Sequence, residues 1–278
     1  MHATTLALVG ATGGAGTTRT AIELAAIGAR SGRDVAVIDA AFTTQGLSEY
    51  VRGRIGTDLT SLVTDDAGAS LSAATYPIAI AEAGDGVSSE TTNSGTADAE
   101  TAGGETTNGL PGRADVVPAR APFERVARAK TAEAARKLER RVDEAATAYD
   151  AVIVDASPAG SNESIAAVTT VERVAAVRPA TPHGRDALQR LRGRIADVGA
   201  SVDATVAIRL GIEAETDEAS AGADLVIPPT DPTVASAPTA ADDADEYVRA
   251  VGDAYAHLFD AAIDVEFEDD GLIERLRN

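Results

Sequence analysis

The 278-residue sequence contains no cysteine, three histidines and two lysines. Without cysteine there can be no disulfide bonds or thiolate metal sites, and three scattered histidines do not favour a histidine-rich metal centre. No stretch reaches the roughly 20 consecutive apolar residues that a membrane-spanning helix needs. The N-terminal segment also lacks the basic and apolar regions of a signal peptide. We therefore predict a cytoplasmic protein without redox or zinc chemistry.

Lysine is scarce: Lys130 and Lys137 are the only lysines among 24 basic residues. The net charge is -20, and the pI is near 4.4. Such an acidic, lysine-poor composition is typical of proteins that keep their surface hydrated in a salt-loaded cytoplasm. The charge opposes binding to DNA or to anionic lipid. A nucleic-acid partner is not expected.

Apolar strand patterns alternate with helical patterns along most of the chain. LALV, a glycine-rich turn, the helix TTRTAIELAAIGARSG and the strand VAVIDA form a βαβ unit near the N-terminus. Further strands are predicted at YPIAIAEA (76–83), YDAVIVDA, RVAAVRPA, ATVAIRLG and DLVIPP, with helices between and after them. The order predicts an α/β fold: a doubly wound, mostly parallel sheet with helices on both faces.

The domain organisation follows from a change of composition. Residues 1–260 are predicted to form a single domain, residues 84–115 a disordered acidic insertion within it, and residues 261–278 an acidic C-terminal tail. The segment FERVARAKTAEAARKLERRVDEAATAY (123–149) is predicted to be helical. One face of this helix would carry the basic residues Arg125, Arg128, Arg136, Lys137, Arg140 and Arg141. Interleaved acids favour a solvated surface helix over a DNA-binding face.

The glycine-rich turn between the first strand and helix is a candidate phosphate-binding loop, since its backbone N–H groups and the helix dipole attract anions. One interpretation is the G-x-x-G-x-x-G turn of NAD(P)-binding oxidoreductases, formed by Gly10, Gly13 and Gly16, with Asp39 on a ribose hydroxyl. No tyrosine is followed four residues later by lysine, so the Tyr-x-x-x-Lys pair usual in short-chain dehydrogenases is missing. This interpretation stays open as an alternative.

The same loop, TGGAGTT (12–18), resembles the deviant Walker A loop of the MinD/ParA family of P-loop ATPases, normally Lys-Gly-Gly-x-Gly-Lys-Thr. Three more segments agree in order and spacing. VIDAAFTTQGLSEY (37–50) resembles switch I, YDAVIVDASPAG (149–160) resembles the Walker B and switch II segment, and VIPPTDPTVASAP (226–238) resembles the stretch beside the adenine. The resemblance covers most of the chain outside the insertion and implies a P-loop NTPase-like fold.

The resemblance implies ATP and Mg²⁺ as cofactors. The residues that it assigns to nucleotide binding are Gly13, Gly14, Ala15, Gly16, Thr17, Thr18 and Pro228. It assigns Mg²⁺ to Thr18 and Asp155 and leaves Asp39 as a candidate catalytic acid.

The chain departs from the family pattern in its charged residues. Threonines, Thr12 and Thr17, stand where the family has its two loop lysines, and Ala41 replaces the second acid of switch I. Ile208 or its neighbour replaces the asparagine that usually reads adenine. Phosphoryl transfer depends on neutralising phosphate charge, so we expect a degenerate ATPase whose hydrolysis is weak or absent. The missing lysines are also compatible with weak or absent nucleotide binding.

Such a relative would act through protein contacts in spatial organisation or regulation, as a homodimer or as a heterodimer with an active family ATPase. An alternative is an active switch that dimerises on ATP and receives a cation from its partner. The C-terminal GLIERLRN resembles the membrane-binding tail of MinD proteins, but its apolar area is small and its flank is acidic. Membrane binding through this tail is not expected, although the resemblance leaves it open.

Overall fold

A computed structural model describes residues 3–80, 110–158, 160–209, 211, 220–242 and 244–265. The strands are β1 (Thr4–Gly10), β2 (Val35–Asp39), β3 (Tyr76–Pro77), β4 (Ala114–Val117), β5 (Ala151–Ala156), β6 (Arg173–Pro179), β7 (Ala204–Ile208) and β8 (Leu225–Ile227). They form one sheet of eight strands in the order β3-β4-β2-β5-β1-β6-β7-β8. All neighbours are parallel except β3, which pairs antiparallel with β4 at the edge.

Helices cover both faces of this sheet. They are α1 (Thr17–Arg30), α2 (Leu59–Val63), α3 (Phe123–Ala129), α4 (Ala132–Ala148), α5 (Asn162–Thr170), α6 (Pro182–Asp197) and α7 (Glu246–Phe259). Short 3-10 helices occur at Gly46–Tyr50, Leu71–Ala74, Val234–Ser236 and Thr239–Ala241. Along β1, Leu6 and Leu8 point into the core under α1 and α7, whereas Ala7 and Val9 point into the core under α2 to α6. The predicted doubly wound α/β fold is confirmed.

Helix α1 packs closely against the sheet and α7. A Cβ placed on Gly28 would lie 2.7 Å from the ring of Tyr255 and 2.8 Å from a methyl group of Val35, so only glycine fits. Ile22 and Ile27 of the same helix are completely buried, and each such burial contributes about 1.5–3 kcal/mol. This packing holds the start of α1, and with it the glycine loop, in a fixed position.

The structure differs from the sequence prediction at the sheet edge. Of the strand predicted at 76–83, Tyr76–Pro77 pairs antiparallel with β4 and Ile78 forms an isolated bridge to Val51, while residues 81–83 lie outside the described residues. The parallel neighbour of β2 is instead β4, which begins at Ala114 within the range predicted as insertion. Residues 84–109 of the predicted insertion lie outside the described residues. The helix predicted over 123–149 is divided in two, because Thr131 accepts the N–H of Ala134 at 3.3 Å and starts a new helix.

Several basic side chains of α3 and α4 pair with acids, as the interleaved charges predict. Lys137 lies 3.0 Å from Glu133, and Arg141 lies 2.6 Å from Glu144. Arg125 reaches the carboxylate of Asp58 at 3.3 Å. The pair on Glu133, whose side chain is 76% exposed, contributes little to stability, whereas Arg141 and Asp58 are buried.

The described helices include none with the length and apolar character needed to cross a bilayer. The predicted tail is described only as far as residue 265, so the GLIERLRN segment lies outside the described residues.

Candidate functional site

The sheet topology brings three predicted site segments to one edge. β1 lies between β5 and β6, and β2 lies on the other side of β5. Because these strands are parallel, the loops that follow Gly10, Asp39 and Asp155 meet at their carboxyl ends. In doubly wound sheets, ligands bind at this edge, where the strand order reverses.

The loop between β1 and α1 has a backbone that glycine makes possible. Gly14 and Gly16 have φ angles of 70° and 89°, which side chains disfavour. Gly16 is the N-cap residue of α1 and provides no side-chain cap, and the first turn contains no acid. The first N–H groups of the helix therefore face the loop without a capping side chain, an arrangement suited to binding an anion.

Thr18 and Asp155, predicted separately as magnesium ligands, are in direct contact. The hydroxyl of Thr18 donates to Oδ2 of Asp155 at 2.6 Å. The other oxygen, Oδ1, is buried and has no hydrogen-bond partner among the described residues. Mg²⁺ binds hard oxygen ligands and commonly takes only one or two from the protein, with phosphate and water completing the shell. An unpartnered carboxylate oxygen beside a hydroxyl fits such an ion.

Asp39 lies beside Asp155, since the two residues are register partners on neighbouring strands. Its carboxylate accepts the N–H groups of Ala41 at 3.0 Å and Ala119 at 3.2 Å. Complete burial, followed by the nearby charge of Asp155, raises the pKa of Asp39 to about 8. Burial also raises the pKa of Asp155, against the hydrogen bond from Thr18. Two neighbouring acids with raised pKa values favour a bound cation, which would allow both to ionise.

The loop encloses a cavity of about 340 Å³, here called the loop cavity. Its lining residues are Gly10, residues 12–19, Ala41, Thr44, Gly46 and residues 155–158. A Cβ on Gly13 or Gly14 would meet nothing within 4 Å, so both glycines border open space. The predicted residues Gly13 to Thr18 thus line one cavity with Asp155.

Arg19 is the only basic residue among those lining the loop cavity, but its guanidinium is bound elsewhere. Its Nε donates to Glu23 at 2.5 Å, and Nη1 donates to the carbonyl oxygens of Asp231 and Thr233 at 3.1 and 3.3 Å. Its Nη2 donates to the hydroxyl of Thr239 at 3.0 Å. The Nε atom is thus bound to α1 and the two Nη atoms to the segment 231–239, so all three nitrogens have acceptors outside the glycine loop.

Neither lysine lines the loop cavity. The ammonium group of Lys130 lies 3.0 Å from the hydroxyl of Thr43 and 3.2 Å from Glu163, whereas Lys137 pairs with Glu133 on α4. The replacement of both loop lysines by threonine is not compensated by another lysine in the described part of the chain.

A second cavity, of about 380 Å³, adjoins the first and shares Gly16 and Arg19 with it. We call it the proline cavity, after Pro228, Pro229 and Pro232. Its other lining residues are Thr20, Ile208, Arg209, Gly211, Ile227, Thr230, Asp231 and Tyr247. The predicted base-proximal residue Pro228 lies here. Together the two adjoining cavities form one groove.

The fold is the P-loop architecture also found in MinD- and ParA-type proteins. MinD from Pyrococcus horikoshii, solved with Mg-ADP, matches with a TM-score of 0.58 and 16% identity over 81% of each chain. A plasmid partition protein from Borrelia burgdorferi, bound to AMPPNP, matches with a TM-score of 0.62 and 11% identity over 93% of this chain and 98% of that one. Apo McdA from Cyanothece matches with a TM-score of 0.54 and 17% identity, over 79% and 78%.

At these identities the likeness shows the fold and does not decide the reaction. No family model matches the sequence, and no curated protein is significantly similar to it.

Sequence reasoning missed the residues that shape the proline cavity. Glu23 is completely buried in α1 and accepts the N–H groups of Thr239 and Ala240 at 3.0 and 2.7 Å. An acid in an otherwise apolar helix face, four residues after an arginine, was the available signal. Nothing in the sequence indicates that Arg209 lines a cavity, because only the pairing of β7 with β8 places it there.

Proposed function

We propose that the protein binds the magnesium complex of a purine nucleotide across the two cavities and hydrolyses it weakly or not at all. One observation carries this proposal. The uncapped N-terminus of α1 and the Thr18–Asp155 hydrogen bond are both present. Arg19, the only basic residue that lines the loop cavity, is hydrogen-bonded to Glu23 and to the segment 231–239.

The residues have separate roles in this proposal. The N–H groups of Gly13 to Thr18 bind the phosphates, and Thr18 and Asp155 hold the metal. When bound, Mg²⁺ neutralises charge on the phosphate oxygens and orients them. The proline cavity takes the base, with Pro228 beside it. Asp39 acts through Asp155, because its own oxygens are occupied by two backbone N–H groups.

Weak hydrolysis follows from the electrostatics. The transferred phosphoryl group spreads negative charge over its oxygens, and catalysis depends on positioned cations and donors. The loss of one such donor costs about 2.7–4 kcal/mol in other enzymes, which is about 10²–10³-fold in rate. In this chain threonines occupy both lysine positions, Thr12 and Thr17.

Protein contacts are the proposed output of nucleotide binding. Phe123 is 87% exposed at the start of α3, although aromatic residues make up only 3% of the chain. It lies two residues after Ala121, whose N–H and carbonyl oxygen both bond the side chain of Gln45 at 2.7 and 3.0 Å. Gln45 belongs to the loop that follows β2 at the site, so an exposed aromatic side chain stands close to the segment that would sense the ligand. Large exposed apolar side chains are frequent anchors of protein partners.

A second candidate function is an active switch that dimerises on ATP with a cation supplied in trans. Lys130 favours it, because its ammonium group lies at the same sheet edge, on Thr43 of the loop after β2. A second copy facing this edge would present that cation.

Calorimetric titration with the magnesium complexes of ATP and GTP, followed by a turnover assay, tests the proposal. We expect binding that Asp155→Ala abolishes, together with turnover close to the uncatalysed background. Sustained hydrolysis that Asp155→Ala abolishes would favour the second candidate, particularly if the protein elutes as a dimer only with ATP. The absence of any nucleotide binding would overturn both.

A further inference from the structure

Arg209 directly follows β7 and lines the proline cavity. Its backbone N–H donates to the carbonyl oxygen of Ile227 at 3.0 Å, which fixes the residue to β8. The preceding residue, Ile208, packs against Gly16 of the loop, where a Cβ would lie 3.6 Å from its Cγ1 atom. The position of Arg209 is therefore tied both to the sheet edge and to the loop.

The guanidinium of Arg209 contrasts with that of Arg19, the other arginine of the proline cavity. Arg19 uses all of its nitrogens in hydrogen bonds within the protein. The Nε of Arg209 is buried and has no hydrogen-bond partner among the described residues, and no ion pair joins Arg209 to them. A buried donor without an acceptor is costly, so this one is expected to meet an acceptor on the ligand.

The chemistry of a guanidinium limits which base it can read. Arginine only donates hydrogen bonds. Guanine presents two adjacent acceptors, O6 and N7, which arginine binds in a bidentate manner, whereas adenine presents a donor, its N6 amino group, beside N7. Asparagine or glutamine, which both donate and accept, suits adenine at this edge. Asp231, whose carboxylate accepts the N–H of Thr233 at 2.9 Å, also lines this cavity.

We propose that the proline cavity prefers guanine to adenine, with Arg209 as the residue that determines this specificity. This inference rests on the proposed function, because it assumes that the phosphates lie in the loop cavity. Guanine offers the guanidinium two adjacent acceptors, O6 and N7, whereas the same edge of adenine offers one acceptor, N7, beside a donor.

Calorimetric titrations of the whole protein with Mg-GDP and Mg-ADP test the proposal. We expect GDP to bind about tenfold more tightly than ADP, as one bidentate contact provides in other systems. Arg209→Gln should reduce this ratio to about one or reverse it. Arg190→Gln is the matched control: Arg190 is exposed on α6, which packs on the opposite face of the sheet from α1, and this change should leave the ratio unaltered.

The possible outcomes distinguish a failure of the base preference from a failure of nucleotide binding itself. If wild-type protein binds ADP as tightly as GDP or more tightly, the base preference is wrong while nucleotide binding stands. If Arg209→Gln keeps the wild-type ratio, Arg209 does not determine the specificity. If neither nucleotide binds, both proposals fail. Near-ultraviolet circular dichroism of each variant checks that a lost preference is not a lost fold.

Discussion

The guanidinium of Arg19 lies 2.5 Å from the carboxylate of Glu23, one helical turn further along α1. Arg19 follows Thr18 directly and is the nearest cation in sequence to the glycine loop. The ion pair turns that cation away from the loop and binds it to the segment 231–239, which walls the proline cavity. The loop cavity therefore depends on backbone N–H groups and the helix dipole to attract an anion.

This ion pair is expected to stabilise the fold strongly. Glu23→Ala would leave the guanidinium of Arg19 and the N–H groups of Thr239 and Ala240 without their acceptor. Breaking a buried pair on one side costs about 3–5 kcal/mol, and we expect a loss in that range by urea denaturation. Glu133→Ala removes an exposed i,i+4 pair with Lys137 and should leave stability nearly unchanged. Equal effects of the two substitutions would contradict the structural role of Glu23.

Restoring a positive charge at the loop should strengthen nucleotide binding. Thr17 lines the loop cavity at the position of a family lysine, and a charged donor there would meet phosphate oxygens. A charge-assisted hydrogen bond contributes about 1.5–3 kcal/mol, so Thr17→Lys should lower the Kd for Mg-nucleotide about tenfold or more. Thr17→Met is the control for side-chain length. If both variants bind alike, the missing charge is not what weakens the site.

The close packing of α1 predicts opposite results for two helical glycines. Gly28→Ala would force its methyl group against Tyr255 and Val35, and overpacking of this kind costs about 1–3 kcal/mol. Gly193→Ala, in α6, meets nothing within 4 Å and should stabilise by about 0.5–1 kcal/mol through helix propensity. Thermal denaturation of both variants shows whether each substitution raises or lowers the stability. A stabilising Gly28→Ala would contradict the packing of α1 against α7.

Stability without metal should fall as the pH rises. The pKa of Asp39 is raised to about 8, chiefly by burial and then by Asp155, whereas in the unfolded chain it is about 3.9. The native state therefore holds a proton that the unfolded state releases. The contribution of Asp39 is complete below about pH 4 and is lost as the pH rises through about 8, with a slope of at most about 1.4 kcal/mol per pH unit.

Urea denaturation at several pH values in the presence of EDTA measures this slope. Asp39→Asn should flatten it between about pH 5 and pH 8, because the titrating group is gone. Asp65→Asn, at an exposed carboxylate paired with Arg128, is the control and should retain the wild-type slope. A slope unaffected by Asp39→Asn would show that this carboxyl group is ionised in the metal-free protein.

Local patterns predicted much of the fold and of the loop. The apolar run of β1, the glycines and the periodicity of α1 are all contained in residues 4–30, so the βαβ unit could be predicted without knowing its neighbours. β4 could not, because its four residues become a strand only by pairing with β2, far away in sequence. The division between α3 and α4 depends on a capping hydrogen bond of Thr131 that helical periodicity does not reveal.

The same distinction applies to the site. The contact between Thr18 and Asp155 was predictable because both belong to motifs that end neighbouring strands. The burial of Asp39, the orientation of Arg19 and the position of Arg209 depend on segments up to 220 residues away in sequence, which only the folded chain brings together.

The most direct test of the account is a crystal structure of the protein grown with Mg²⁺ and whichever of ATP or GTP binds more tightly, after prolonged incubation. We expect an intact triphosphate on the N–H groups of Gly13 to Thr18, with the metal on Thr18 and Asp155 and the base in the proline cavity. An empty loop cavity would contradict nucleotide binding. A bound diphosphate in place of the triphosphate would contradict the claim that hydrolysis is weak.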